Sequence, residues 1–154
     1  MIRGRYLRSN DDLSEVFALR RRVFVEEQGF SWENEIDAYD RMSVYALVYD
    51  EEDRPAGTGR LYVDVDGRFT IGRLCVLKEN RGMGYGDLLM RMLIARALDL
   101  NAAGIYLSAQ VERAGFYEKY GFTALGETYP DEGVPHVLMA ADRGRLDACG
   151  KCSE

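Results

Sequence analysis

Residues 80–87 read NRGMGYGD, with three glycines inside five positions, between the β-rich run TIGRLCVLK and the leucine-rich run LLMRMLIARALDL. Glycine costs conformational entropy on folding and, lacking a Cβ, lets the backbone come close to another group. At a strand-to-helix junction this predicts that something sits on the loop. Arg81, Gly82, Gly84 and Gly86, with Met83 and Tyr85 between them, lead into a helix whose first N–H groups and positive dipole end face the loop. That is the chemistry of an anion site. Two nucleotide loops fail here. A P-loop needs Gly-Lys-Ser/Thr after its glycines, where this chain has Asp87-Leu88-Leu89, and a GxGxxG turn begun at Gly82 needs glycine at Asp87.

Few other residues have obvious chemistry. His136 is the only histidine, and the three cysteines are Cys75, inside a predicted strand, and Cys149 and Cys152 near the end. An odd count is no disulfide framework and fits a reducing compartment. The CGKC run has metal-ligand spacing but offers two ligands where a structural zinc takes four, so no metal is expected. The segment EEQGFSWENEIDAYD carries Glu26, Glu27, Glu33, Glu35, Asp37 and Asp40. Such a charge run reads first as a solvated face.

The elements that must position these residues follow from hydrophobic period. IRGRYLR reads as a first strand. Asn10 or Asp11 can cap a helix through DLSEVFALRRRVFVEEQ, where Leu13, Val16, Phe17 and Arg20 recur at helical spacing and Gly29 ends it. A polar, acidic connection runs to about Met42. SVYALVYD, PAGTGRLYVDVD and FTIGRLCVLK are β-rich and separated by turn clusters, the pattern of an antiparallel meander. After the glycines, Leu89, Leu93, Ala97 and Leu100 mark a helix closed by Gly104, with Asp87 and Arg91 able to pair on its exposed side. IYLSA is a strand, VERAGFYEKY a short helix with Gly121 just past its end, and FTALGE and PHVLMA are the last two strands. The order β-α-linker-β-β-β-α-β-α-β-β predicts an α/β fold on a sheet of mixed direction.

Composition narrows the partners. The chain has 154 residues, a length that suits one domain, expected over residues 1–142 with a flexible tail at 143–154. A net charge of −6 disfavours a phosphate backbone, so no nucleic-acid partner is expected. No stretch approaches the roughly 20 apolar residues of a membrane span, and the start lacks the apolar core of a signal peptide. A cytoplasmic protein with no membrane partner, monomeric or homodimeric, is the expectation.

Arg81, Gly84 and Gly86 satisfy the pattern Arg/Gln-x-x-Gly-x-Gly/Ala. This resembles the acetyl-CoA pyrophosphate loop of the GNAT superfamily of N-acetyltransferases. A second stretch, AGFYEKYGF, resembles the family's segment ending Tyr-x-Lys-x-Gly-Phe, which here is Tyr117 to Phe122. The strings LSAQ…FYEKYGF, GETYPDEGVPHVLM and RRRVFVEEQGF look like the ElaA-like branch, and the resemblance spans roughly residues 3 to 141. It implies a GNAT fold, a mixed and mostly antiparallel central sheet of six to seven strands flanked by helices.

The resemblance also implies roles. Acetyl-CoA would be the cosubstrate, its diphosphate on residues 81–86. Backbone N–H groups around Cys75 and Val76 would meet the thioester oxyanion, which leaves the Cys75 side chain a packing role. Tyr117 would protonate the departing thiolate, the plainer reading being a core aromatic beside Phe116 and Tyr120. Many members carry asparagine seven residues before that tyrosine, and Gln110 stands there instead. For the base the chain offers His136, of a residue type that changes charge near neutral pH, and Glu27, at the end of the first helix where the family lines its acceptor site. Against these stand a structural histidine and a surface glutamate like Glu26. Part of the acidic segment would then attract a cationic acceptor, a small molecule or peptide amine, with Phe30 and Trp32 as apolar walls.

Two other functions remain open. RRRVFVEEQGFSWENEIDAYDR is also similar to the N-terminal region of acyl-homoserine lactone synthases, which share the fold but use acyl carrier protein and S-adenosylmethionine. A GNAT domain that binds acetyl-CoA without catalysis, as a sensor, is the third reading.

Overall fold

The computed structural model describes residues 3–146. The elements are β1 (Arg3–Arg8), α1 (Ser14–Arg20) continuing as a π-helical stretch (Arg21–Glu27), α2 (Trp32–Glu35), a 3-10 turn (Ala38–Arg41), β2 (Val44–Tyr49), β3 (Pro55–Val63) and β4 (Phe69–Val76). After a second 3-10 turn (Lys78–Asn80) come α3 (Tyr85–Asp99), β5 (Gly104–Gln110), a third 3-10 turn (Val111–Arg113), α4 (Ala114–Glu118), β6 (Thr123–Asp131) and β7 (Val134–Asp142). The strands form one mixed seven-stranded sheet in the order β1-β2-β3-β4-β5-β7-β6, flanked by helices. The fold gathers into two compact units, one comprising residues up to Tyr62 with Ile71–Leu93, the other Val63–Thr70 with the chain from Ile94 on.

In the first unit β2 and β3 pair antiparallel and β4 follows β3 in the sheet, in the order of the expected meander, while β1 adds an antiparallel edge strand on β2. Leu7, Val16, Leu19, Val23, Tyr45, Leu47, Cys75 and Leu77 close over one face as a core, with Phe17 and Phe24 packed against it. Each fully buried aliphatic side chain contributes about 1.5–3 kcal/mol. The helix starts one turn later than its first polar residues: Asp12, and neither Asn10 nor Asp11, accepts from the Ser14 N–H at 2.9 Å. Gly29, at φ +82°, ends the π-helical stretch as expected.

The segment read as a polar linker is folded. Ser31 caps α2, and Asp37 and Asp40 form a capping box over the following 3-10 turn. Glu33 is exposed, but Glu35 and Asp40 are buried and Asp37 is part-buried, so most of the segment's carboxylates are not a solvated face. Arg20, fully buried on α1, donates through Nε to Glu35 Oε2 at 2.6 Å and through Nη1 to Asp40 Oδ1 at 2.7 Å. Arg60 on β3 grips Asp37 with two bonds of 2.7 and 2.8 Å and reaches Asp40 at 3.0 Å. The Tyr45 hydroxyl donates to Asp40 as well. Burial alone would push Asp40 up, but the hydrogen bond and charge of Arg20 hold its carboxyl well below the usual carboxylate range. Burial pushes the Glu35 carboxyl up, against the pull of Arg73 and Arg20.

In the second unit β7 lies between β5 and β6, antiparallel to both. Ile105, Leu107 and Ala109 face Ala141, Met139 and Val137 across the ladder and are buried, so one face of this hairpin array is core. Two boundaries differ from expectation. The long helix stops at Asp99 because Asn101 takes the left-handed position (φ +64°) and Ala102 N–H closes on Ala97 O, a Schellman cap three residues before Gly104. Gly104 has another duty: a Cβ there would lie 2.8 Å from Ala141 O. The last two strands are longer than predicted, since Glu132 and Gly133, both left-handed, turn the chain in two residues. Residues 143–146 form a helical turn with Leu146 buried, while Cys149 and Cys152 lie outside the described residues.

The buried network generates a stability prediction. Asp40→Asn leaves Arg20 and Arg60 short of a buried partner and should cost about 3–5 kcal/mol in chemical denaturation. Because the folded Asp40 is depressed, its contribution is present above the unfolded carboxylate pKa of about 3.9 and is lost as pH falls through the folded value. The variant's stability should therefore fall less steeply than the wild type's below about pH 4. Equal slopes would remove Asp40 from the acid response.

Candidate functional site

In the first unit the glycine loop connects the 3-10 turn after β4 to α3. Gly82 and Gly84 hold φ of +78° and +88°, and a Cβ built on either would meet nothing within 4 Å. Their requirement for glycine is conformational, and the space over them is open. The first bond of α3 runs from Leu88 N–H to Gly84 O at 3.1 Å. The N–H groups of Tyr85 and Gly86 therefore have no acceptor within the helix. Tyr85 is buried and anchors the loop, whereas Met83 is exposed. The donors and the positive end of a 15-residue helix thus face accessible space.

Arg81 turns away from that space. Its Nη1 and Nη2 make a bidentate pair with Glu27, both bonds 2.7 Å, and its Nε donates to Val76 O at 3.0 Å. This fork ties the end of the π-helical stretch to the end of β4. The Glu27 hydrogen bond holds the Arg81 guanidinium firmly protonated against partial burial. Both oxygens of the Glu27 carboxylate thus accept from one guanidinium, a charge-assisted pair of the strong, directional kind. Beside the pair lies a groove of about 320 Å³ lined by Arg22, Val23, Glu26, Glu27, Leu77, Lys78 and Glu79. Trp32 stacks with the Arg21 guanidinium and Phe30 packs edge-on against Phe24.

Cys75 belongs to the core beneath. Its thiol is buried and pushed up to about 12 by desolvation, so it stays protonated and inert at neutral pH. Only its backbone is a candidate for the chemistry.

The second unit carries the other candidates. Gln110, at the end of β5, stands directly opposite His136 on β7, and His136 stands opposite Tyr129 on β6. Residues opposed in a ladder share a face, so the three side chains form a row, with Tyr129 hydrogen-bonded to Ser108. His136 is buried, and its Nδ1 lies 2.8 Å from Val134 O. A carbonyl only accepts, so Nδ1 is the donor in this contact, and in the neutral form of the ring the lone pair is at Nε2. Tyr117, on α4, is half-buried, its ring edge-on to Phe116 and Phe122, whereas Tyr120 and Phe122 beside it are core. No helix among the described residues is long and apolar enough to cross a membrane, and they hold no group of three or more His, Cys, Asp or Glu side chains placed for a metal.

Sequence reading missed three participants. Tyr129 and Ser108 carry no motif, and their place in the row depends on a ladder register that no local pattern encodes. Arg73 reads as an ordinary strand arginine; only its backbone angle sets it apart.

The family described as Acetyltransferase (GNAT) domain matches residues 14–143. The uncharacterized N-acetyltransferase YjcF of Bacillus subtilis (strain 168) is 38% identical over 136 residues, covering 88% of this chain and 96% of that one. The crystal structure of Escherichia coli ElaA superposes with a TM-score of 0.79 at 29% identity, over 92% of this chain and 100% of the other. A CoA-dependent acyl-homoserine lactone synthase, BjaI, shares the fold at a TM-score of 0.77 and 21% identity, over 99% and 89% of the two chains. With its glycine loop, its sheet order and a family match over most of its length, this chain belongs to the GNAT acetyltransferase family.

Proposed function

We propose that this protein is an N-acetyltransferase that moves an acetyl group from acetyl-CoA directly to an amine, on a small molecule or a peptide. The observation that carries the reading is the loop at residues 81–86, where two left-handed glycines open onto unpaired helix N–H groups. A diphosphate suits that site in charge and size, since its oxygens accept from backbone donors that no side chain covers. Arg81 serves the loop by tying it to Glu27 and Val76 and not by contacting the anion itself. No metal is given a role.

In the reaction the amine nitrogen bonds to the thioester carbon and the carbon–sulfur bond breaks. The backbone N–H groups around Cys75 and Val76 stabilise the oxyanion, and Tyr117 returns a proton to the thiolate. His136 takes the amine proton at Nε2, the nitrogen left free by the Nδ1 bond to Val134, while Glu27 holds Arg81. Gln110, opposite His136, supplies its amide to the pantetheine arm where many relatives use asparagine.

The lactone-synthase alternative shares the fold through BjaI, whose use of coenzyme A means the glycine loop does not separate the two activities. Incubation with S-adenosylmethionine and an acyl donor does: lactone release would replace our reading. A non-catalytic sensor would bind acetyl-CoA yet acetylate no amine in a panel of polyamines, amino sugars and peptides.

Gly84→Asp places a negative side chain on a left-handed backbone at the anion site, so acetyl-CoA affinity measured by calorimetry should fall at least about tenfold. Unchanged affinity would move the diphosphate elsewhere. Tyr117→Phe should lower turnover at least about tenfold while leaving coenzyme binding intact; wild-type turnover in the folded variant returns Tyr117 to a packing role.

The base is tested by rate against pH. His136→Gln should abolish the acid limb of kcat/KM, and Glu27→Gln should keep it. The opposite pattern would make Glu27 the base, and a limb retained in both variants would mean that the amine enters already neutral.

A further inference from the structure

Arg73 lies inside β4 with φ +50°, the left-handed region, the only residue within a described strand other than glycine to do so. A side chain in that conformation clashes with its own backbone, so surrounding structure must hold it there. The holding contacts are visible. Arg73 Nε donates to the Glu35 carbonyl at 3.0 Å and lies 3.2 Å from Glu35 Oε2. Its Nη2 reaches the Asn34 carbonyl at 3.2 Å and Asp37 Oδ2 at 3.3 Å. Glu35 cannot drift, because Arg20 grips its carboxylate and its carbonyl, both at 2.6 Å.

Beyond the bend, β4 lies beside β3 in the sheet. A Cβ at Gly57 would sit 2.8 Å from Cys75 O, and one at Gly59 would meet the Leu74 side chain at 2.9 Å. Gly57 therefore leaves room for the Cys75 carbonyl and Gly59 for the Leu74 side chain, while Arg81 holds the next carbonyl, Val76 O. The unfavourable angle sits two and three residues before the N–H groups assigned above to the thioester oxygen.

We propose that Arg73 is a positioning residue: its guanidinium, clamped to α2 and Asp37, holds β4 in a left-handed bend that aims the Cys75 and Val76 backbone at the acyl group. The clamp acts through backbone shape, not through charge at the reacting atoms. The link to catalysis rests on the acetyltransferase reading; the link between clamp and bend does not.

Arg73→Ala removes the clamp and keeps the Cβ penalty, whereas Arg73→Gly removes both, since glycine adopts positive φ freely. Amide hydrogen exchange at Leu74, Cys75 and Val76 should accelerate at least about tenfold in Arg73→Ala and stay within about threefold of wild type in Arg73→Gly. With a competent amine, kcat should fall about tenfold in the alanine variant, with KM for the amine little changed, and recover in the glycine variant. Equal impairment of both variants overturns the proposal, because the guanidinium then matters whatever the angle. An alanine variant that matches wild type overturns it too. Should Arg73→Ala not fold, a glycine variant with wild-type exchange sustains the proposal and one that also fails to fold overturns it. If the wild type acetylates nothing, the acetyltransferase reading falls while the exchange comparison still decides the clamp.

Discussion

A single guanidinium organises the first unit. Arg20 leaves α1 fully buried and satisfies Glu35 and Asp40, the two carboxylates of the 31–42 segment that are themselves buried. The aliphatic side chains of that segment do not hold it, since Ile36 and Met42 are exposed; its apolar contacts are the part-buried rings of Trp32, on Arg21, and Tyr39, stacked on Tyr62. Its arrangement inverts the ordinary rule, with acids inside and aliphatics outside, and only paired, hydrogen-bonded charges make that tolerable. Apolar residues of similar volume could match or exceed the network in stability. What the charges add is direction, because a guanidinium fork fixes the angle as well as the distance of its partners.

From that anchor the order reaches the chemistry. Glu35 and Asp37 hold Arg73, Arg73 holds the bend in β4, and the end of β4 is held again by Arg81 through Val76 O. Arg81 in turn engages Glu27, so α1, β4 and the glycine loop share a chain of charge-assisted bonds. The loop itself is left to backbone geometry. Side chains therefore set the loop's position, and its backbone N–H groups are left without side-chain cover. Acids that would otherwise draw a cationic acceptor are largely spent on arginines, while Glu26 and Glu33 stay exposed to solvent.

The glycine loop was legible in the sequence because its signal is local: glycine spacing at a strand-to-helix junction needs no tertiary partner to be recognised. The element order was legible for the same reason, with Gly29 and Gly121 past their helices and Asp87 paired to Arg91 at 2.8 Å. The acidic segment was not, since its partners lie 15 to 38 residues away and composition cannot show which charges meet. Arg20 was already on the helix's inward stripe by spacing, a buried cation that required acids opposite it. Asn101 pre-empted Gly104 because asparagine tolerates the left-handed cap. The bend at Arg73 had no signature, since nothing local favours positive φ in arginine.

The most direct measurement is a crystal structure of the protein with coenzyme A. It should show diphosphate oxygens within hydrogen-bonding distance of backbone N–H groups between Arg81 and Gly86, with Arg81 still paired to Glu27 and the thiol end of the pantetheine arm at the Cys75-Val76 backbone. A diphosphate bound away from the loop, or no coenzyme bound at saturating concentration, would contradict the account.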